Sequence, residues 1–191
     1  MGQRLVISIM SDGETVANAY YHWSAYTGSA AGLTGQICSC YRWLKNECTS
    51  DFELAVRLLQ GTGAGVSKDE WQNIEETKDS RVNTVELRDC ENRNVGILCV
   101  TPEGKEDNNR WAEGNVDIDL NRETVSFYVY SSMPKEEYDA EYAEFYDGLN
   151  EIDDIPLFFD CPIDEFWKAC ETIEQNPGGC ICGDTVFLWI E

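Results

Sequence analysis

Positive charge is what this sequence lacks most. Against 36 Asp and Glu it carries 14 Lys and Arg and one histidine, His22, for a net charge of −22. Phosphate binding needs the opposite sign, so direct nucleic-acid binding is excluded as an expectation. With a single histidine, any Ser or Cys nucleophile has only His22 to call on as a base, and no complete catalytic signature is present. There is no run of eighteen apolar residues and no basic stretch ahead of an apolar one. The expectation is therefore a cytoplasmic protein without a membrane span or secretory leader. Val6 stands where an N-myristoylation signal needs Ser or Thr. No Pro/Ser/Gly-rich linker divides the chain, so a single compact domain over residues 1–191 is expected.

Hydrophobic residues make up 42% of the chain and aromatic ones 12%, enough for a sizeable core. The opening is the most strand-like part. Leu5, Ile7 and Ile9 alternate with Val6, Ser8 and Met10, Asp12-Gly13 is a hairpin turn signal, and Tyr20-Tyr21-His22-Trp23 closes the return strand. That turn places Arg4 opposite roughly position 21, gathering a guanidinium, an imidazole and aromatic rings.

Met1-Gly2-x-Arg4, a hydrophobic strand, and then Tyr21-His22-Trp23 followed by Tyr26 resemble the start of a loose group of uncharacterised phage and prophage proteins. Those begin Met-Gly-x-Arg and carry a Tyr-x-His-Trp-Asp-Gly-Tyr segment; here Ser24-Ala25 replaces the Asp-Gly. The resemblance covers about thirty residues and implies a viral or mobile-element setting, not a reaction.

Nine cysteines include two tight pairs, Cys38-x-Cys40 and Cys180-x-Cys182. A four-thiolate zinc site usually spaces its ligands by two to four residues, so buried free thiols are expected instead, with no metal or cofactor. GTGAG at 61–65 lacks the Gly-Lys-Ser/Thr of a phosphate loop and reads as a flexible connection.

Along the chain, Thr27 or Ser29 caps a helix through Leu44, and Ser50-Asp51-Phe52-Glu53 and Ser67-Lys68-Asp69-Glu70 are capping boxes for two shorter ones. Val82, Val85 and Leu87, then Val95 to Val100, read as strands. Asp117 to Leu120, a two-residue turn Asn121-Arg122 and Thr124 to Tyr130 read as a hairpin. Asp117 and Asp119 share one of its faces, a pair able to bind a metal or serve as acid and base, though a solvated face explains them more simply. Pro134 opens a helix with Tyr138, Tyr142, Phe145 and Leu149 on one face. A further helix, Ile163 to Glu174, turns Phe166, Trp167, Cys170 and Ile173 inward. Residues 184–190 form a closing strand in which Val186, Leu188 and Ile190 oppose Phe187 and Trp189. Two local hairpins without regular βαβ alternation predict an α+β fold, a mostly antiparallel sheet with several short helices packed on it.

Acidity is uneven. Residues 1–66 hold 5 acids and 4 bases, whereas 135–174 hold 14 acids and 2 bases. Three function classes follow. The first is a phage-type anti-defence inhibitor, not an enzyme, whose acidic surface mimics nucleic acid and binds a basic host nuclease or defence factor. Its contacts would be Glu136, Glu137, Glu141, Glu144, Asp147, Glu151, Asp153 and Asp154. The second is a protein that binds a small nucleotide signal through Arg4, Tyr20, Tyr21, His22, Trp23 and Tyr26. The third is a small hydrolase, for which no constellation stands out. The first is the expectation carried forward.

Overall fold

Strand β1 (Arg4–Ser11) and strand β2 (Glu14–His22) form the opening hairpin in a computed structural model that describes residues 3–77, 81–89, 96–144 and 148–191. Asp12 and Gly13 take φ of 53° and 79°, the left-handed values a tight primed turn requires. Arg4 lies opposite His22, Val6 opposite Tyr20 and Ser8 opposite Asn18. Every residue from Leu5 to Ile9 is buried, which simple alternation does not predict. The reason is that β1 is central: it also pairs in parallel with β5 (Gly114–Asp119), with Leu5 beside Gly114 and Ile9 beside Ile118.

This larger sheet runs β3 (Gly65–Val66), β4 (Ile97–Cys99), β2, β1, β5, β6 (Thr124–Phe127), β9 (Cys161–Pro162). A second sheet runs β7 (Tyr130–Pro134), β11 (Thr185–Trp189), β10 (Gly179–Cys182), β8 (Asn150–Glu151). Among the strands of the described residues, β1–β5, β3–β4 and β8–β10 are the parallel neighbours and the other pairs are antiparallel, so the fold is α+β and mostly antiparallel.

The predicted strand Thr124 to Tyr130 is divided between the two sheets. After Phe127 the chain leaves the first sheet, and from Tyr130 it pairs with β11 in the second. The turn before it is longer than two residues. Asp119 pairs with Thr124, its Oδ1 accepts the N–H of Asn121 (2.9 Å) and Arg122 (3.0 Å), and Glu123 takes φ of 54°.

One face of the large sheet, with Leu5, Ile7, Ile9, Ala17, Ala19 and Tyr21, packs into a core shared with α1 (Thr27–Leu44), α2 (Asp51–Gly61) and α6 (Phe166–Gln175). Each buried Leu, Ile or Phe there contributes roughly 1.5–3 kcal/mol. Both sheets feed this core: Phe127 and Phe166 from the first sheet's side meet Phe187 and Trp189 of β11 around Phe158. In β11, Phe187 and Trp189 face this core while Val186 and Leu188 join a smaller cluster with Tyr138 on the outer side, as the alternation predicts; Ile190, expected with Val186 and Leu188, lies past the end of the strand and packs against the main core instead.

Helix ends follow the capping logic in part. Ser50 Oγ accepts Glu53 N–H (3.2 Å) and Glu53 reaches back to Thr49 N–H (2.9 Å). Thr27 does not cap α1: Tyr26 holds that position, and Thr27 Oγ1 instead donates to Val129 O (2.5 Å) and accepts Ile190 N–H (2.8 Å). Val82–Thr84 is a short 3₁₀ turn, not a strand, and Val95 lies outside the described residues. The 61–65 stretch is built, not loose. It ends α2 and enters β3, with Gly65 so close to Arg88 and Asp89 carbonyls that a Cβ would meet both at 2.9 Å. Trp167 is 55% exposed, because α6 starts at Phe166 and buries Phe166, Ala169 and Ile173 instead.

At the start of α3 (Lys68–Thr77), Ser67 Oγ accepts Glu70 N–H (3.1 Å), but the Glu70 side chain does not return to complete the box. It is 1% exposed and crosses to α4 (Pro102–Arg110). There Oε1 accepts the N–H of Val100 (2.7 Å) and Thr101 (2.8 Å), and Oε2 accepts Thr101 Oγ1–H (2.7 Å). The carboxyl group thus holds the residues that lead into α4 and fixes Thr101, whose Oγ1 caps the helix by accepting Gly104 N–H (3.2 Å). Gly104 makes room for it: a Cβ there would lie 1.9 Å from Glu70 Oε2. Gly104→Ala is expected to lower stability by about 2 kcal/mol or more in urea unfolding. That penalty should shrink in a Glu70→Ala background, because the clashing atom is gone.

Candidate functional site

Two surfaces correspond to the two site expectations. The first lies at the end of the opening hairpin. Tyr20 Oη and His22 Nδ1 are 2.9 Å apart, and the Trp23 ring stands edge-on to His22 at 4.9 Å. Arg4 lies at the same end, opposite His22. Tyr21 is not part of this group. It points through the opposite face into the core, where its Oη bonds Thr62 Oγ1 (2.5 Å) and burial raises its pKa. Tyr26 is half-buried at the start of α1.

Two residues that periodicity did not single out complete the group. The Trp111 ring sits 5.7 Å from the Arg4 guanidinium. Glu113 takes Arg4 on both sides, accepting its backbone N–H (2.9 Å) and its Nη2 (3.1 Å). The hydrogen bonds from Arg4 hold the Glu113 carboxyl below the usual carboxylate range. An arginine already shared with a carboxylate is poorly placed to clamp a phosphate in two-pronged fashion. The parallel β1–β5 pairing brings Glu113 beside Arg4 across 109 residues, so no local pattern could announce it.

The second surface is the outer side of the small sheet. Helix α5 (Lys135–Glu141) packs on β7 and β11, with Tyr138 buried against Val186 and Leu188, and Tyr142 and Leu149 at the margin. The helix ends eight residues before Leu149, earlier than its apolar stripe predicts; Phe145 and Asp147 lie outside the described residues. Glu136, Glu137, Glu141 and Glu144 are exposed, and Glu151, Asp153 and Asp154 are exposed along β8 and just beyond it. Lys135 links the two groups. It binds Asp139 (2.7 Å), whose hydrogen bond and charge raise its pKa, and the charge of Glu151 raises it further. Lys135 N–H also donates to Asp184 O (2.9 Å), so the exposed acid of the β10–β11 turn borders the same helix.

Some acids elsewhere are paired: Glu113 with Arg4, Glu123 with Lys45, Glu53 with Arg57 and Asp160 with Arg122. Among the described residues, Glu136, Glu137, Glu141, Glu144, Glu151, Asp153 and Asp154 form no ion pair. The result is a carboxylate face in which Lys135 is the one cation from residue 135 to residue 154.

Compared with family models, curated proteins and solved structures, the chain matches none. Its chemistry has to be read from its own side chains.

Asp117 and Asp119 do share a face of β5, in the register Ser8–Asp117–Ser126 across three strands. Asp119 is committed to its turn, and burial raises the Asp117 pKa. Among the described residues, no group of three or more His, Cys, Asp or Glu side chains is arranged to hold a metal ion. Cys38 and Cys40 sit on α1 and Cys180 and Cys182 on β10; burial pushes Cys38 up to about 12 and Cys161, Cys170 and Cys180 up to about 11. Thiols so held stay protonated near neutrality and are weak nucleophiles. Between α3 and α4 an open cleft of about 510 Å³ is lined by Asp69, Asn73, Glu103, Asp107 and Arg110, with Glu70 at its floor. Glu70 is already satisfied there by Val100 and Thr101, just ahead of α4.

Because the folded state raises the Asp117 pKa, its charged form opposes folding, and stability is lost as pH rises through that value. Asp117→Asn should therefore raise the unfolding temperature at pH 7. The gain should fade as pH is lowered toward about 4, the ordinary aspartate range, when melting is followed by circular dichroism.

Proposed function

We propose that this chain is a non-enzymatic, phage-type anti-defence protein whose carboxylate face imitates nucleic acid and occupies the cationic groove of a host nuclease or related factor in the host cytoplasm. The observation that carries the reading is the unpaired acid on one side of the small sheet, drawn from α5, β8 and the residues after β8. Crowded like charges cost stability when they face only each other and water; a cationic partner would relieve that cost. Ion pairs neutralise some of the acids elsewhere, as at Glu113, Glu123, Glu53 and Asp160, whereas the stretch from 135 to 154 holds a single cation, Lys135. Such a surface steers a basic partner at long range, with a reach limited to about 8 Å at physiological salt. The N-terminal resemblance to phage proteins supports the same setting. The reading needs no cofactor and leaves the hairpin cluster outside the contact.

Inhibition of plasmid cleavage by a panel of restriction-type and non-specific nucleases tests it. At least one enzyme should be inhibited stoichiometrically, with potency falling about tenfold or more between about 50 and about 300 mM salt. Reversal of Glu136, Glu137, Glu141 and Glu144 to Lys, with circular dichroism confirming the fold, should abolish the effect. Inhibition that survives this reversal, or none across the panel, would overturn the proposal.

A further inference from the structure

The segment from Glu151 to Asp160 crosses from the small sheet to the large one and is fastened at both ends. Ile152 N–H donates to Ile181 O (2.8 Å) beside β8, and Asp160 N–H donates to Ser126 Oγ (3.3 Å) just before β9. Midway, Phe158 O accepts Phe127 N–H (2.6 Å), and its ring lies 4.8 Å from Tyr130 and 5.7 Å from both Phe127 and Trp189. Pro156 and Phe158 are buried, so the intervening side chains must stand outward. Ile155 is 69% exposed, Leu157 42% and Phe159 61%. Phe159 meets the exposed Tyr128 edge-on at 6.2 Å.

Single exposed apolar residues are ordinary, but three on one anchored strap, with Tyr128 against the last of them, concentrate apolar surface in one place. It follows directly on the unpaired acids Glu151, Asp153 and Asp154. An apolar centre beside a charged margin is the anatomy of a protein interface, and aromatic side chains held rigid in such a centre carry most of the binding energy.

We infer that Ile155, Leu157 and Phe159, with Tyr128, are the central contact for a basic protein that presents an apolar patch flanked by Lys or Arg. Charge selects this occupant. A second copy of the chain, with the same net charge of −22, would bring the same carboxylates against themselves, and nucleic acid would meet its own sign. The inference rests on the acidic-surface reading and assigns the two parts different tasks: acids set the approach, and the apolar strap sets residence.

Three synthetic peptides of equal charge serve as probes: an amphipathic Lys/Leu helix, its scrambled isomer with no apolar face, and oligolysine. Binding to the full chain is followed by biolayer interferometry across a salt series. The amphipathic peptide should bind about tenfold tighter than the scrambled one. Leu157→Ser with Phe159→Ser should remove that preference through faster dissociation and leave oligolysine binding and its salt slope unchanged; both side chains are exposed, so the fold is kept. Glu151→Lys with Asp153→Lys and Asp154→Lys should weaken all three peptides and flatten the salt slope. If the strap variant keeps the preference, or the wild type shows none, the inference falls; the acidic reading stands as long as the charge variant still weakens binding. If the charge variant changes nothing, the acidic reading falls. A dimer in sedimentation that Phe159→Ser dissolves would assign the strap to a second copy and overturn the inference.

Discussion

Where the chain leaves one sheet for the other, it must give up ladder hydrogen bonds in a place where water cannot replace them. That requirement governs the centre of the molecule. Tyr128 N–H turns to Asn115 O and Phe127 N–H to Phe158 O, while Val129 O takes the hydroxyl of Thr27. The same hydroxyl accepts Ile190 N–H, and Thr27 N–H returns to Ile190 O (2.9 Å). One fully buried threonine therefore ties the first helix, the crossover and the end of the last strand together. The aromatic group around Phe158 fills the space that this joint encloses. Without it the small sheet would have nothing to hold its inner face, and the acidic layer would have no rigid base.

The arrangement separates two demands that conflict in a small protein. The large sheet and its helices supply most of the buried apolar surface, and there several acids are neutralised by a neighbouring cation, as Glu113 is by Arg4, or, as with Glu70, turned to structural use. The small sheet spends its inner face on the shared core and needs only Tyr138, Val186, Leu188 and their neighbours to keep α5 in place. Unpaired charge can then be concentrated on α5 and β8, far along the chain from the strands that carry the core.

How much of this could be read from the residues depended on range. The opening hairpin was legible, including Arg4 opposite His22, because turn chemistry and alternation are local. So were the capping at Ser50 and the two faces of β11. The crossover at Phe127 was not, since Thr124 to Tyr130 reads as one strand and the change of sheet is decided by Thr27 and Phe158. The Gly-Gly before Cys180 hid β10: Gly179 takes φ of 145°, and a Cβ there would come within 2.2 Å of Phe187 O, so a residue that looks like a breaker is what allows the strand to start. Of the candidate site, the acids were visible by composition, but their continuity across α5 and β8 depends on a parallel β8–β10 pairing. Trp111 and Glu113 were missed for the same reason, and nothing in the run 155–159 tells its outward residues from its inward ones, because both are apolar.

The pairing of β1 with β5 has a consequence for how the molecule comes into being. A strand that is complete within the first dozen residues stays half-paired until a partner more than a hundred residues later has been made, and Thr27 waits for Ile190. Loop closure over such spans is entropically costly and slows the search for the native topology. During synthesis the first hairpin would emerge with Leu5, Ile7 and Ile9 uncovered and an open edge, the kind of surface that attracts chaperones. A strongly negative chain has a second safeguard in that interval, because nascent copies repel one another before any of them has closed.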